Sequence, residues 1–211
     1  MREQIATVHR LSAFSDAVIA VVITIMVLEL KAPDSQSLSE LWSLWPTAMS
    51  YAVSYLFIAI IWINHHYLMR FVDSLTPKLV WINFAHLFVV SLLPFATAWI
   101  ARTQLASTPV AFYAAIFVCV DIAYNVFERE VFAQAGAAKI SERAQRIARR
   151  RSLTVLGIFA SAMLVAFVAP RFGFGLVCSA LILHLRPEAP GIFGGWRLSK
   201  RLTEVLKRVP S

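Results

Sequence analysis

The chain is too apolar for a soluble domain. It has 211 residues, of which 59% are hydrophobic and only 15% charged, whereas about a quarter of the residues in a typical soluble protein are charged. Its formal net charge of +8 does not require nucleic-acid binding, because lysine and arginine in a membrane protein first serve to orient the spans. Composition therefore predicts an all-α, polytopic membrane protein.

Apolar windows predict six transmembrane helices, since a span needs about 20 apolar residues. The windows are residues 11–31, 43–68, 77–101, 109–128, 152–170 and 172–186. Only Pro170-Arg171-Phe172-Gly173 separates the last two, which predicts a tight turn there, and the sixth window is short for a full span. We expect a six-helix membrane domain over residues 1–190 and a basic amphipathic cytoplasmic tail over residues 191–211.

The first predicted helix carries an acid inside an apolar run. A carboxylate at membrane depth is costly unless it is paired or faces a polar interior, so Asp16 is interpreted as functional or architectural. Successive residues of a helix are rotated by 100°. One face of this helix is centred on Val21 and contains the residues within about 60° of it: Ala17, Val21, Thr24, Ile25 and Leu28. Asp16 lies about 140° from the middle of that face. Taken alone, the face is typical of ordinary helix packing.

Polar residues in the other helices fall near the predicted cytoplasmic ends of the spans. They are Asn64, His65, His66, Asn83, His86, Asp121, Asn125 and His184. Polar groups inside a bundle need partners at the same depth, so the sequence predicts a hydrogen-bonded belt. A metal site is the alternative. It is disfavoured because adjacent His65 and His66 point about 100° apart and no two histidines are four residues apart.

The placement of basic residues predicts that both termini are cytoplasmic. With six spans, all 20 lysines and arginines except Lys31, Arg102 and Arg171 then lie on the inside, as the positive-inside rule requires. Residues 139–151 are expected to form a basic helical extension and residues 196–208 a surface helix. Both segments are candidates for contact with anionic lipids, although a solvated orientation signal explains residues 139–151 equally well.

No catalytic motif is present. The sequence contains no GxSxG, HExxH or glycine-rich phosphate loop, so we do not expect an enzyme. The glycine-rich filter of the familiar potassium channels is also absent.

Three stretches of the sequence resemble a known family. The motif RxxxFSD from Arg10 to Asp16, with the apolar stretch that ends in VLELKAP, resembles the signature helix of the transmembrane protein 175 family, the lysosomal and prokaryotic potassium channels. The WINHH sequence beginning at Trp62, and Asn83 with the LPF sequence beginning at Leu93, resemble elements of the family's second and third helices. The length is similar to that of the prokaryotic form, which has one six-helix unit per chain.

This resemblance implies a homotetrameric, potassium-favouring cation channel of the cell (inner) membrane, with a central pore lined by the first helix. The pore positions that it implies are Val21, Thr24, Ile25 and Leu28, with an aliphatic constriction and a threonine ring. The structural network that it implies behind the pore comprises Arg10, Phe14, Ser15, Asp16, His65 and Asn83. It implies no cofactor and no metal beyond transient potassium ions, and its partners are copies of the chain itself and the bilayer.

Two other hypotheses stay open on the residues alone. A proton- or cation-coupled secondary transporter would use Asp16, Asp121 and the histidines as a relay, whereas a non-conducting scaffold or lipid-interacting membrane protein would need none of them. Transporters typically contain discontinuous helices at mid-depth, and Pro94 is the one candidate for such a break.

Overall fold

The computed structural model describes residues 2–32, 42, 44–135 and 142–184. Within them lie seven α-helices: α1 Arg2–Leu28, α2 Trp45–Met69, α3 Pro77–Val90, α4 Leu93–Arg102, α5 Ser107–Ala135, α6 Glu142–Ala166 and α7 Pro170–His184. The predicted all-α class is confirmed. The predicted tail over residues 191–211 lies outside the described residues.

Four helical segments in the described part of the chain are long and apolar enough to cross a membrane. They are Ala6–Leu28, Trp45–Met69, Pro77–Arg102 and Ser107–Ala135, and they make the chain a multi-pass membrane protein. The count of six spans is not confirmed. α6 begins in a run of arginines that leaves a short apolar part, and the apolar helix Pro170–Ile182 is also shorter than a full span.

The third predicted span is divided into α3 and α4. Pro94 has no backbone N–H to donate to the preceding helical turn, and the amide of Leu92 instead bonds the carbonyl of Val89, three residues back, at 3.1 Å. Ser91 and Leu92 therefore form a turn between the two helices. α3 packs on α5, and α4 packs on α2 and α5.

The turn before α7 lies earlier than the sequence predicted. It occupies residues 167–169, and α7 begins at Pro170, so that Gly173 lies inside the first helical turn. Proline suits the first helical position, where its missing N–H has no partner to lose. Gly173 is needed for close packing, because a Cβ there would lie 2.9 Å from both the Ala162 carbonyl oxygen and the Ala166 Cα of α6.

The core is centred on α5, which contacts α2, α3, α4, α6 and α7. Three fully buried rings join its neighbours to it. Phe57 of α2 stacks on Phe117 of α5 with centroids 4.0 Å apart, and Phe159 of α6 meets Phe117 edge-on at 5.3 Å. Between membrane-spanning helices such rings contribute mainly through close van der Waals packing, because lipid tails are as apolar as the rings. This packing holds α2 in place as a support for α1.

A chain of hydroxyl groups holds α4 despite the break that precedes it. Thr97 donates to the Leu93 carbonyl at 2.7 Å, so it accepts from Ser54 of α2, which lies 2.7 Å away. Ser54 in turn accepts from the hydroxyl of Tyr113 on α5 at 2.7 Å. Every hydrogen in the chain has an acceptor, as buried polar groups require.

Candidate functional site

The four residues predicted to line a pore lie together on the outer face of α1. Val21 is 54% exposed, Ile25 45% and Leu28 79%, and Thr24 is exposed as well. The opposite face of the helix is buried in the core, as at Ile19, which is 1% exposed. The candidate site is thus an exposed strip on one helix. We refer to Val21, Thr24, Ile25 and Leu28 as the α1 strip.

The hydroxyl group of Thr24 has a defined orientation. Its Oγ1 donates to the carbonyl oxygen of Val21 at 2.8 Å. Because the hydrogen is used within the helix, the oxygen can act only as an acceptor toward anything outside it. An acceptor oxygen among aliphatic side chains can replace part of a cation's hydration shell. The arrangement favours a cation over an anion.

A groove of about 820 Å³ runs between α1 and α4, and Val21 and Ile25 of the α1 strip form part of its lining. Its apolar walls include Val18 from α1, and Phe95 and Trp99 from α4. At the far end, Arg102 of α4 forms an ion pair of 2.7 Å with Glu29, which follows the last turn of α1. The sequence analysis did not predict this pair, whose members are 73 residues apart.

A buried hydrogen-bonded chain lies behind the strip. His65 of α2 donates through Nε2 to Asn83 Oδ1 at 2.7 Å, and Asn83 of α3 donates through Nδ2 to Ser15 Oγ at 3.0 Å. Ser15 completes the chain by donating to the Leu11 carbonyl of its own helix at 2.9 Å. His65, Asn83 and Ser15 are fully buried. Because an amide oxygen only accepts, the chain requires the hydrogen of His65 on Nε2.

Asp16 has a separate partner, Trp62 of α2. The indole Nε1 donates to Asp16 Oδ1 at 2.8 Å. Trp62 was not among the predicted site residues, although it belongs to the second-helix sequence that carried the resemblance. Its position three residues before His65 could have identified it as a site residue, because residues three apart share a helix face. The Asp16 carboxylate therefore contacts α2, on a different side of α1 from Val21.

The other two predicted network residues lie outside these hydrogen bonds. Phe14 is 47% exposed and packs its ring 5.4 Å from that of Phe84 on α3. Arg10 is exposed and takes no part in the bonds that join Ser15, Asn83 and His65.

The predicted polar belt consists of more than one group. A second group joins α5 to α6, where Ser152 donates to Asn125 Oδ1 at 2.6 Å, and Asn125 donates to the Asp121 carbonyl at 2.7 Å. His86 packs its ring parallel to that of His65, with centroids 6.1 Å apart. The side chain of His184 lies outside the described residues. Within the described ranges, no group of three or more metal-binding side chains is present.

The chain is similar in sequence to potassium channels. A family profile described as "Endosomal/lysosomal potassium channel TMEM175" matches residues 10–94. This match includes the α1 strip and the residues of the buried chain behind it. A potassium channel of Chryseobacterium sp. strain P1-3 is 32% identical over 182 residues, which cover 86% of this chain and 94% of that protein.

Two solved structures share the fold. The crystal structure of a lysosomal potassium-selective channel TMEM175 homolog from Chamaesiphon minutus matches with a TM-score of 0.75 and 26% identity, and covers 86% of this chain and 98% of that one. A variant of the potassium channel MtTMEM175, crystallised with a nanobody fusion protein, matches with a TM-score of 0.52 and 15% identity over 91% of this chain and 93% of that one. The second likeness is one of fold alone. Together the matches extend beyond the profile to α5, α6 and α7.

Proposed function

The chain belongs to the TMEM175 family of potassium channels, and from that premise we propose that it conducts potassium ions passively through a pore lined by α1. The relative and the solved structures that it matches are channels, not enzymes. One observation carries the proposal. The α1 strip leaves a threonine oxygen exposed, as an acceptor, among aliphatic side chains.

The α1 strip can enclose a pore only if several copies of α1 surround one axis. We propose a homotetramer in which Val21, Thr24 and Leu28 of each chain face the axis and Ile25 lies at the edge. Aliphatic rings at Val21 and Leu28 would gate by dewetting, and a ring of Thr24 oxygens would contact a partly dehydrated ion. A valine ring leaves a wider opening than a leucine or isoleucine ring would, so only moderate selectivity is expected.

The buried groups behind α1 would brace the pore helix. The chain from His65 through Asn83 to Ser15 fixes one side of α1 to α2 and α3. Trp62 fixes a second point by holding Asp16. Asp16 faces α2, so its proposed role is to position the helix and not to attract the ion.

The proposed channel lies in the inner membrane of the cell, with six spans and both termini in the cytoplasm. The distribution of lysine and arginine supports this orientation. Potassium is the proposed permeant ion, and no cofactor is invoked. The bilayer is the other partner, with anionic lipids as candidates for contact at residues 139–151 and 196–208.

Bilayer recordings of the purified protein under a potassium gradient test the proposal. The reversal potential should follow the potassium gradient. Thr24→Val keeps the side-chain shape but removes one acceptor oxygen from each of the four chains, so the permeability ratio of potassium to sodium should fall by at least about three- to ten-fold, the equivalent of one net polar contact. Thr24→Ser keeps the oxygen and should retain most of the preference.

Val21→Asn adds a polar ring at the proposed constriction and should increase the current, because polar side chains keep the constriction wet and so oppose dewetting. Val126→Asn is the matched control, because Val126 is also an exposed valine but lies on α5. It should leave the current unchanged. Saturable, electrically silent potassium uptake, or equal effects of the two valine variants, would contradict a pore lined by α1.

A further inference from the structure

A cavity of about 360 Å³ opens between the carboxyl-terminal end of α5 and the amino-terminal end of α6. Its lining includes Asn125, Glu128, Arg129, Phe132, Gln145 and Arg149. None of its lining residues belongs to α1, and the proposed conduction mechanism does not use it. Its size lies within the range of about 300–1,000 Å³ that is usual for small-molecule sites.

The cavity continues the contact face between α5 and α6. On α6, Val155 and Ser152 are buried, and Ser152 donates to Asn125 of α5 at 2.6 Å. Arg149 and Gln145 follow at helical spacings of three and four residues, so they lie on the same face of α6. Asn125, which accepts the bond from Ser152, lines the cavity and therefore forms its floor. Beyond this floor, the helix contact changes from apolar to polar.

Two arginines, one from each helix, lie just beyond this floor. Arg129 is four residues beyond Asn125 on α5, and Arg149 is three residues before Ser152 on α6. Both are thus about 5 Å further along, at 1.5 Å per residue. Both are exposed, and neither forms an ion pair with another residue that the structure describes. Two guanidinium groups at one level provide paired donors for a phosphate.

The one acidic residue in the lining offsets only part of the charge of the two arginines. Glu128 is only 6% exposed and already has an interaction partner. The exposed part of the cavity is therefore dominated by Arg129 and Arg149. A phosphate there would also meet the positive field of the basic residues in the first turns of α6, such as Arg143 and Arg150.

The position of the cavity relative to the bilayer indicates which phosphate it would bind. Its floor lies where the apolar part of α6 begins, at Ser152, and Asn125 belongs to the membrane-spanning segment Ser107–Ala135. On the orientation proposed above, which places these helix ends on the cytoplasmic side, we propose that this cavity binds the headgroup phosphate of an anionic phospholipid of the inner leaflet, with Arg129 and Arg149 as its ligands.

Native mass spectrometry tests this proposal. The full chain is purified in detergent and mixed with phosphatidylglycerol or phosphatidylcholine. The wild type should retain phosphatidylglycerol adducts in preference to phosphatidylcholine adducts. Arg129→Gln combined with Arg149→Gln should reduce the phosphatidylglycerol adducts by at least about ten-fold, because two charge-assisted hydrogen-bonded contacts are lost. Arg149→Lys should give an intermediate loss, since it keeps the charge but not the planar fork. Arg70→Gln removes an exposed arginine outside the cavity and should change nothing.

Three results would overturn the lipid site. The first is equal retention of the two lipids by the wild type, and the second is an equal loss of adducts in the Arg70→Gln control. The third is displacement of phosphatidylglycerol by excess inorganic phosphate, which would assign the cavity to a soluble anion. If the double variant does not fold, Arg149→Gln alone decides the matter, because Arg149 is exposed. Adduct counting needs no conduction, so a silent channel that keeps its lipid would contradict only the proposed function.

Discussion

α1 and α5 are both long apolar helices, yet the chain buries them to different extents. In the most apolar part of each helix, 56% of the residues of α5 are buried but only 28% of those of α1, although α1 is the more apolar of the two. α5 packs against five other helices, whereas α1 packs against α2, α3 and α4. Apolar sequence therefore does not predict burial inside the chain, because lipid and other copies of the chain are equally suitable environments for it.

This difference separates the residues that stabilise the chain from those that we propose conduct ions. The side chains of α5 fill the space between other helices, so their removal leaves cavities. The outward side chains of α1 are largely exposed in the described part of the chain, so their removal should change function with little change in the stability of the chain. Mutations of matched size on the two helices can test that separation.

The largest effect is expected for Phe117→Ala on α5. Phe117 is fully buried between Phe57 and Phe159, and a phenylalanine-to-alanine change in such a core costs about 3–5 kcal/mol. Val21→Ala on α1 should cost less than about 0.5 kcal/mol, as expected for an exposed position. Denaturant unfolding in detergent measures both values. Similar losses for the two variants would remove the distinction between the helices.

Gly173→Ala should be the next most destabilising change. The added methyl would lie 2.9 Å from the Ala162 carbonyl oxygen, so α7 must move away from α6, and overpacking of this kind costs about 1–3 kcal/mol. Gly175→Ala is the matched control, because a Cβ there meets nothing within 4 Å. That variant should gain up to about 1 kcal/mol from helix propensity. The same unfolding assay would contradict the close contact if both substitutions were stabilising.

The sequence predicts which way the side chains of α1 point better than it predicts which residues they contact. Helical periodicity separates Asp16 from Val21, because 100° per residue holds in any helix. It does not indicate that Asn83 donates to Ser15, since that contact depends on how α3 packs against α1. Trp62 was recognisable as a motif residue, but its role as the partner of Asp16 depends on the relative position of α1 and α2.

The boundaries of the helices show the same limit. Proline and glycine at positions 170 and 173 predicted a turn, yet both lie within α7. Pro170 suits a helix start, and Gly173 permits a close contact with Ala166. These residue types have several uses in a fold, and the correct one is decided by the neighbouring helix, which local sequence does not specify. By contrast, the apolar length that predicts a span is a local property, so the segment Trp45–Met69 was predicted closely.

Asn83→Leu tests whether the buried chain behind α1 affects function as well as stability. Leucine leaves His65 Nε2 without its acceptor, and an unsatisfied buried donor costs about 1–3 kcal/mol. Thr97→Val, the control, breaks the hydroxyl chain that joins α4 to Ser54 and should cost a similar amount. Only Asn83→Leu should alter potassium current in bilayers, since only it releases α1. An equal effect of both variants on current would mean that conduction follows stability alone.

The smallest effect is expected for Arg102→Gln, at the far end of α1. Its ion pair with Glu29 is 2.7 Å long, but the two side chains are 66% and 38% exposed, and exposed pairs contribute about 0–1 kcal/mol. The loss should shrink further in high salt, which screens exposed charges. A double-mutant cycle with Glu29→Gln isolates the pair. A coupling well above about 1 kcal/mol would mean that α1 is held as firmly at this end as at the buried chain near Ser15. The contrast with α5 would then hold only for the middle of α1.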